Sequence, residues 1–294
     1  YQKLALFRML LSNCALWLSM GTGKTLIFLA YSMHKFSSNP SRPINVILSP
    51  LSVFATWNEQ IKLHLSHELN AQLFFVHGDQ RRKTLAKLKA YRQTAPAYVI
   101  TTYESLESVR ESLQSLAPHI GAIFFDEASR VKNLDAARTK SAHAFVRALP
   151  DVPRFLASGT PSTTRVSGYY SLYELLQPGA SGSHNFFAFR NTYEEQKKFW
   201  IVDVNGRLTH IYADGAQRWL QRNFVPGTAQ TYEQAGYCFS QQPASDKELR
   251  ITRIYNKQVG VKNIEQLSAV TATWAYCLRK EDVLPELPPK TFVR

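Results

Sequence analysis

From residue 15 to about residue 159, short apolar runs alternate with longer stretches that carry apolar residues at helical spacing. The runs Ala15–Ser19, Asn45–Ser49, Gln72–Val76, Tyr98–Thr101, Ala122–Phe125 and Arg154–Ala157 read as strands. Between them, Lys24–Phe36, Val53–His67, Gln80–Tyr91 and Glu104–Leu116 read as amphipathic helices. This alternation predicts a doubly wound α/β domain, a parallel sheet with helices on both faces. The pattern changes after Pro178. A Gly/Ser-rich link from Pro178 to Ser183 leads into a region rich in Tyr, Trp, Gln and Arg that lacks regular strand spacing and is expected to be mostly helical. There is no internal repeat.

Composition narrows the class of protein. With 294 residues, 45% of them hydrophobic, the chain can bury a full core and form one large domain or two modest ones. No run approaches the roughly 20 apolar residues that span a bilayer, so neither a membrane partner nor secretion is expected. Cys14, Cys238 and Cys277 are odd in number and too far apart for a metal knuckle, which points to a reducing compartment rather than a disulfide framework. His64 and His67 lie three apart on an expected helix but lack a third ligand, and read as a solvated helix face. The formal charge of +13 creates a field that attracts a polyanion, and nucleic acid is the leading partner class.

The strongest chemical signal is Met20-Gly21-Thr22-Gly23-Lys24-Thr25, directly after an expected strand and before an expected helix. A phosphate-binding loop needs this context. Glycines let successive backbone N–H groups turn inward, the helix N-terminus adds a positive dipole end, and Lys24 supplies a charge for the terminal phosphates of ATP. The Thr25 hydroxyl suits Mg²⁺. The full phosphate-loop pattern would place glycine at Leu18, so only its second half is met. About a hundred residues on, the run ending at Phe125 is followed by Asp126-Glu127, two carboxylates where α/β sheets place their chemistry. Asp126 suits water-mediated coordination of Mg²⁺, and Glu127 suits orienting and deprotonating an attacking water. Either motif alone could be a turn or a solvated loop; together they favour nucleotide hydrolysis.

In order and spacing the motifs resemble the N-terminal motor lobe of the Swi/Snf ATPases of helicase superfamily two, from the first residues to the last. The resemblance rests on Tyr1-Gln2, on Met20 to Thr25, on Leu48-Ser49-Pro50-Leu51-Ser52 followed by Trp57 and Glu59, and on Ile100-Thr101-Thr102-Tyr103-Glu104. It continues through Asp126-Glu127-Ala128-Ser129-Arg130-Val131-Lys132-Asn133, Ser158-Gly159-Thr160-Pro161 and Tyr170 to Pro178, and ends on the run from Leu278 to Lys290. Leu18-Ser19 stands where the family has an acidic pair, Ser129 where it has histidine and Ser158 where it has threonine. These departures suggest a divergent bacterial or phage member acting inside the cell.

The resemblance implies a RecA-like ATP-binding lobe over residues 1–176, a helical insertion over 177–287, and over 288–294 the start of a continuation toward a second RecA-like lobe. It implies that Gln2 reads adenine and that Pro50, Leu51, Ser52, Thr101 and Thr102 contact the backbone of double-stranded DNA without reading sequence. Ser158, Gly159 and Thr160 would couple hydrolysis to DNA binding. The implied function is a DNA-dependent ATPase that moves along duplex DNA. The chain carries no candidate for the arginines a second lobe supplies to the γ-phosphate, so by itself it is expected to bind ATP but hydrolyse it poorly. Two other readings remain open: the motor lobe of a strand-separating restriction or repair helicase, and a non-catalytic nucleotide-sensing scaffold.

Overall fold

A computed structural model describes residues 1–91, 94–159, 165–204, 207–212, 240–241 and 249–279. Its main body is built on seven strands: β1 (Cys14–Leu18), β2 (Ile44–Leu48), β3 (Gln72–Phe75), β4 (Ala97–Thr101), β5 (Ile120–Phe125), β6 (Arg154–Ser158) and β11 (Ala275–Leu278). They lie in the order β11-β1-β6-β5-β2-β4-β3, and every neighbouring pair is parallel. All residues of β1, β2, β4 and β6 are buried, because helices cover both faces of the sheet.

The covering helices are α1 (Gln2–Leu11), α2 (Lys24–Ser38), α3 (Phe54–Leu69), α4 (Arg81–Lys89), α5 (Leu106–Gln114), α6 (Ala137–Arg147) and α7 (Ser167–Leu176). On one face, Leu16, Ile47, Phe124 and Phe155 pack with Ala5 of α1, Phe28 and Tyr31 of α2 and Trp57 of α3. Phe124 is the hub of this aromatic layer, with ring centroids 4.5 Å from Phe28 and 5.7 Å from Phe155. On the other face, Trp17, Val46, Ile123 and Phe125 pack with residues of α4 to α7, among them Leu88, Val109, Phe145 and Leu172.

The six expected strands and four expected helices are all present, with ends displaced by a few residues. Four elements of the main body were not anticipated: α1, α6, α7 and β11. α1 has a buried face as narrow as Ala5 and Met9, which leaves little periodic signal. β11 is four residues long and follows directly on a helix, α9 (Ile264–Trp274), so the sequence has no turn residue to announce it.

The region expected to be mostly helical is corrected by the structure. Besides α8 (Phe186–Tyr193) and α9, it holds an antiparallel sheet of β7 (Glu194–Val204), β8 (Arg207–Tyr212), β9 (Ser240–Gln241) and β10 (Leu249–Val261) in the order β8-β7-β10-β9. The reason is in the residues: Phe199-Trp200-Ile201-Val202 and Ile251-Thr252-Arg253-Ile254-Tyr255 are β-branched and aromatic runs. Val204 and Arg207, paired across β7 and β8, are separated in sequence by Asn205-Gly206, the dipeptide that two-residue hairpins prefer. The compact unit holding this sheet spans Arg190–Ile264, narrower than the 177–287 expected for an insertion, and β11 belongs to the main sheet. Thr160, residues 280–287 and the expected continuation at 288–294 lie outside the described residues.

Candidate nucleotide-binding site

The loop between β1 and α2 turns back on itself through Gly21 (φ 78°) and Gly23 (φ 86°), left-handed conformations that side chains disfavour. A Cβ on Gly23 would also stand 2.4 Å from the Gln2 Nε2 atom. That amide donates to the Thr22 carbonyl at 3.2 Å, and the Tyr1 hydroxyl donates to the same oxygen at 3.0 Å. Inside the loop, the Thr22 hydroxyl donates to the Ser19 carbonyl at 2.7 Å. The N-terminus of α1 thus braces the glycine turn. α2 starts at Lys24 without a side-chain cap, and its first intrahelical bond comes from Ile27 to Gly23. The amides of Lys24, Thr25 and Leu26 are therefore left at the helix's positive end, where an anion is favoured.

The Lys24 ammonium donates to the carbonyls of Leu18 (2.9 Å) and Ser19 (3.1 Å). Burial holds its pKa below the ordinary lysine value, opposed by the charges of Glu127 and Asp126. The loop lysine and the acidic pair, a hundred residues apart in sequence, therefore share one electrostatic site. Topology explains this. β6 lies between β1 and β5, so the C-terminal ends of three adjacent strands deliver the glycine loop, Ser158 and the acidic pair to one edge. The Ser158 hydroxyl donates to Glu127 Oε2 at 3.3 Å. A Cβ on Gly159 would lie 3.4 Å from the Met20 backbone nitrogen, so the end of β6 abuts the loop.

Asp126 is held from several sides. Its amide donates to the Leu48 carbonyl at 2.8 Å, its carbonyl accepts the Tyr103 hydroxyl at 2.6 Å, and its Oδ2 accepts the Trp57 indole N–H at 2.9 Å. Burial raises the Asp126 pKa; the Trp57 bond opposes that, the nearby Glu127 charge adds to it and Lys24 again opposes it. Glu127 sits at φ 50°, ψ 51°, a left-handed conformation uncommon for a non-glycine residue, and its amide donates to Asp126 Oδ1 at 3.1 Å. Trp57 and Tyr103 are the functional neighbours that sequence reasoning missed. Both fall within recognisable motifs, but nothing in the sequence says that α3 and the loop after β4 reach the end of β5.

The donors fit Mg²⁺. Both Asp126 oxygens keep acceptor capacity beyond the bonds named, and the Thr25 hydroxyl, at the start of α2, has no hydrogen-bond partner among the described residues. No cluster of three His, Cys, Asp or Glu able to hold a metal occurs among the described residues. A hard ion that takes one carboxylate, keeps several waters and shares its shell with phosphates suits so sparse a set.

The residues expected to touch DNA fall into two kinds. Leu51 and Ser52 form an exposed turn after β2, while Pro50 is buried. Thr101 is fully buried, and its hydroxyl donates to the Val76 carbonyl at 2.7 Å. Thr102 accepts the Ser105 amide at 3.0 Å and shares a bond of 2.9 Å with the Ser105 hydroxyl. Thr101 thus satisfies a carbonyl at the end of the neighbouring β3, and Thr102 satisfies polar groups of its own loop. No helix among the described residues is long and apolar enough to cross a membrane.

Comparison with known proteins gives the family and the fold. The chain is 28% identical over 193 residues to the DNA repair protein rhp54 of Schizosaccharomyces pombe, an overlap of 62% of this chain and 22% of that protein. It is 26% identical over 197 residues to the Zorya protein ZorD of Escherichia coli, covering 60% of this chain and 17% of that one. The chain thus spans about a fifth of the length of these relatives. The solved Sulfolobus solfataricus SWI2/SNF2 ATPase core in complex with dsDNA superposes on 96% of this chain and 43% of its own, with a TM-score of 0.54 at 19% identity, which establishes the shared fold. The model of the SNF2-related domain matches residues 4–291, and the chain belongs to that family.

Proposed function

We propose that this chain is the ATP-binding lobe of a DNA-dependent ATPase that moves along duplex DNA. The observation that carries the reading is the convergence of Lys24, Asp126, Glu127 and Ser158 at adjacent strand ends, which joins a phosphate cradle to a water-activating carboxylate. The Lys24 ammonium and the free amides at the start of α2 take the terminal phosphates of ATP. Thr25 and Asp126 hold Mg²⁺, which neutralises phosphate charge when bound. Glu127, turned into the site by its left-handed backbone, orients the attacking water and accepts its proton. Ser158 ties that carboxylate to β6, the strand that runs on toward Thr160, and so offers a mechanical link between hydrolysis and DNA contact.

A +13 charge supports the DNA backbone as the track, with Leu51 and Ser52 offering the exposed contacts. Because two buried hydroxyls are already engaged, Thr101 and Thr102 shape that surface rather than touch the strand. The proposal includes a second RecA-like lobe elsewhere in the full protein, to supply cations to the γ-phosphate, and a setting inside a bacterial or phage-infected cell. The relative named for DNA repair supports the choice of DNA. Calorimetric titration with Mg·ATP is the test: Lys24→Ala weakens binding by tenfold or more, about 1.4 kcal/mol. Equal affinity in variant and parent removes the phosphate-loop assignment and the function with it.

A further inference from the structure

Among the described non-glycine residues, only Asn70, Glu127 and Asn263 have positive φ. Asparagine enters that region readily and glutamate does not, so something other than residue type holds Glu127 there. The peptide units on both sides of its Cα are held. In the unit before it, the Asp126 carbonyl accepts the Tyr103 hydroxyl at 2.6 Å and the Glu127 amide donates to Asp126 Oδ1 at 3.1 Å. In the unit after it, the Glu127 carbonyl accepts the Arg130 amide at 3.1 Å. Fixing both planes fixes the two backbone rotations of Glu127, and with them the direction of its side chain.

Two of these bonds lie within the segment 126–130 and travel with it. The Tyr103 bond comes from outside, from the loop between β4 and α5, 23 residues away in sequence. That loop is anchored in turn: the Thr101 hydroxyl donates to the Val76 carbonyl at 2.7 Å, and the Thr102 hydroxyl accepts the Ser105 amide at 3.0 Å. Tyr103 is fully buried, its ring stacked on Phe125 with centroids 6.5 Å apart. Burial holds the phenol pKa well above its ordinary value, with the charges of Asp126 and Glu127 adding to the rise, so the hydroxyl remains a donor. Beyond the segment, the Arg130 carbonyl accepts Arg138 Nε and the Val131 carbonyl accepts the Ser171 hydroxyl, each at 2.7 Å. Turning the peptide between Asp126 and Glu127 over would carry φ of Glu127 into the ordinary negative range, and would point the Asp126 carbonyl away from Tyr103.

We propose that Tyr103 is a positioning residue for hydrolysis: its hydroxyl locks the peptide between Asp126 and Glu127 in the orientation that aims the Glu127 carboxylate at the attacking water. This takes Glu127 as the general base, as in the proposed function, and Tyr103 acts through it rather than on ATP. Small misplacements of a reacting group cost rate steeply. Nucleotide affinity does not depend on this bond, because Lys24 and the α2 amides take the phosphates, while the Asp126 carboxylate keeps its Trp57 donor.

Hydrolysis by the full-length protein at saturating duplex DNA tests it, with kcat and KM read separately beside calorimetric binding of Mg·ATP. In Tyr103→Phe the expected result is a kcat lower by about tenfold or more, at an ATP affinity within about twofold of the parent's. Tyr103→p-aminophenylalanine, which puts back an N–H donor, restores most of the lost kcat. Tyr103→p-fluorophenylalanine fills the hydroxyl's space without donating, and replaces Tyr103→Phe if that variant does not fold. Added to Glu127→Gln, Tyr103→Phe lowers turnover no further, because its effect passes through that carboxylate. An unchanged kcat in Tyr103→Phe, where Glu127→Gln has lost its turnover, overturns the role of Tyr103 alone. So does an equal fall of kcat and ATP affinity, or a further loss on the Glu127→Gln background, since Tyr103 then serves only the fold. Unchanged turnover in Glu127→Gln overturns the base assignment of the proposed function and, with it, the role of Tyr103.

Discussion

Replacing Trp57 by phenylalanine removes one N–H from the Asp126 carboxylate, the group proposed to hold Mg²⁺. The indole is buried at 1% exposure, donates to Asp126 Oδ2 at 2.9 Å and stacks on Phe28 with a centroid separation of 6.4 Å and an interplanar angle of 10°. Phenylalanine keeps the stacking surface but leaves Oδ2 without its charged hydrogen bond, worth about 1.5–3 kcal/mol. The Asp126 pKa, already raised by burial, then climbs further, because the bond that opposed the rise is gone. The sign follows: Mg²⁺ needs the ionised carboxylate, so metal affinity is lost at a higher pH in the variant than in the parent. Each unit of displacement corresponds to about 1.4 kcal/mol, or tenfold in Mg²⁺ requirement on the acid side. The assay is Mg²⁺ titration of fluorescent ATP-analogue binding from pH 5 to 8, beside urea unfolding of both proteins. The expected outcome is a tenfold or greater rise in Mg²⁺ requirement at the acid end and an alkaline displacement of the pH midpoint. If stability falls but the Mg²⁺ dependence and midpoint stay, Trp57 is only a core residue and the reasoning fails.

Three further outcomes are expected. Glu127→Gln keeps the shape but not the base, so in the full-length protein ATP binding persists while hydrolysis falls by about 10²-fold or more; unchanged turnover would assign the base elsewhere. Burial, and after it the charge of Arg147, lower the pKa of His143 to about 4, with Glu174 and the Ser171 hydrogen bond acting against them. Folding therefore favours the neutral ring, and its contribution is full above the ordinary pKa of 6.5 and lost as pH falls toward 4, by about 3 kcal/mol in all. Urea unfolding across that window should show the loss in the parent and a flatter profile in His143→Gln; parallel profiles would refute it. Duplex DNA binding should show no sequence preference and a log–log salt slope of about −0.9 per phosphate contacted, for on the order of two to four contacts. Thr102→Ala should leave that slope and the affinity nearly unaltered, since its hydroxyl is bonded to Ser105; anisotropy across a salt series measures both.

The parallel sheet, four of its helices and the glycine turn between β1 and α2 were legible in the sequence because each is a local matter. Buried parallel strands need unbroken apolar runs such as Asn45–Ser49, helices need a repeating stripe, and a glycine-lysine turn can sit usefully only between the two. Asp126-Glu127 was legible for the same reason, as a polar pair at the end of an apolar run. The Asn205-Gly206 signal and the aromatic runs around it were local too, and the helical reading of that region passed over them.

Other features were decided only when the chain closed on itself. That β6 lies between β1 and β5 is a property of strand order, on which the meeting of Lys24, Ser158 and Glu127 depends. The Trp57 bond to Asp126 spans 69 residues, and the bracing of the glycine loop by Tyr1 and Gln2 about 20. Thr101 and Thr102 could not be told from exposed contact residues until burial and partners were known, because one sequence position serves either role. Periodicity reports which side of an element is buried, but not against what. Residue type and spacing thus determined the elements and the candidate chemistry, while long-range packing decided which side chains share a site and which polar groups are already satisfied.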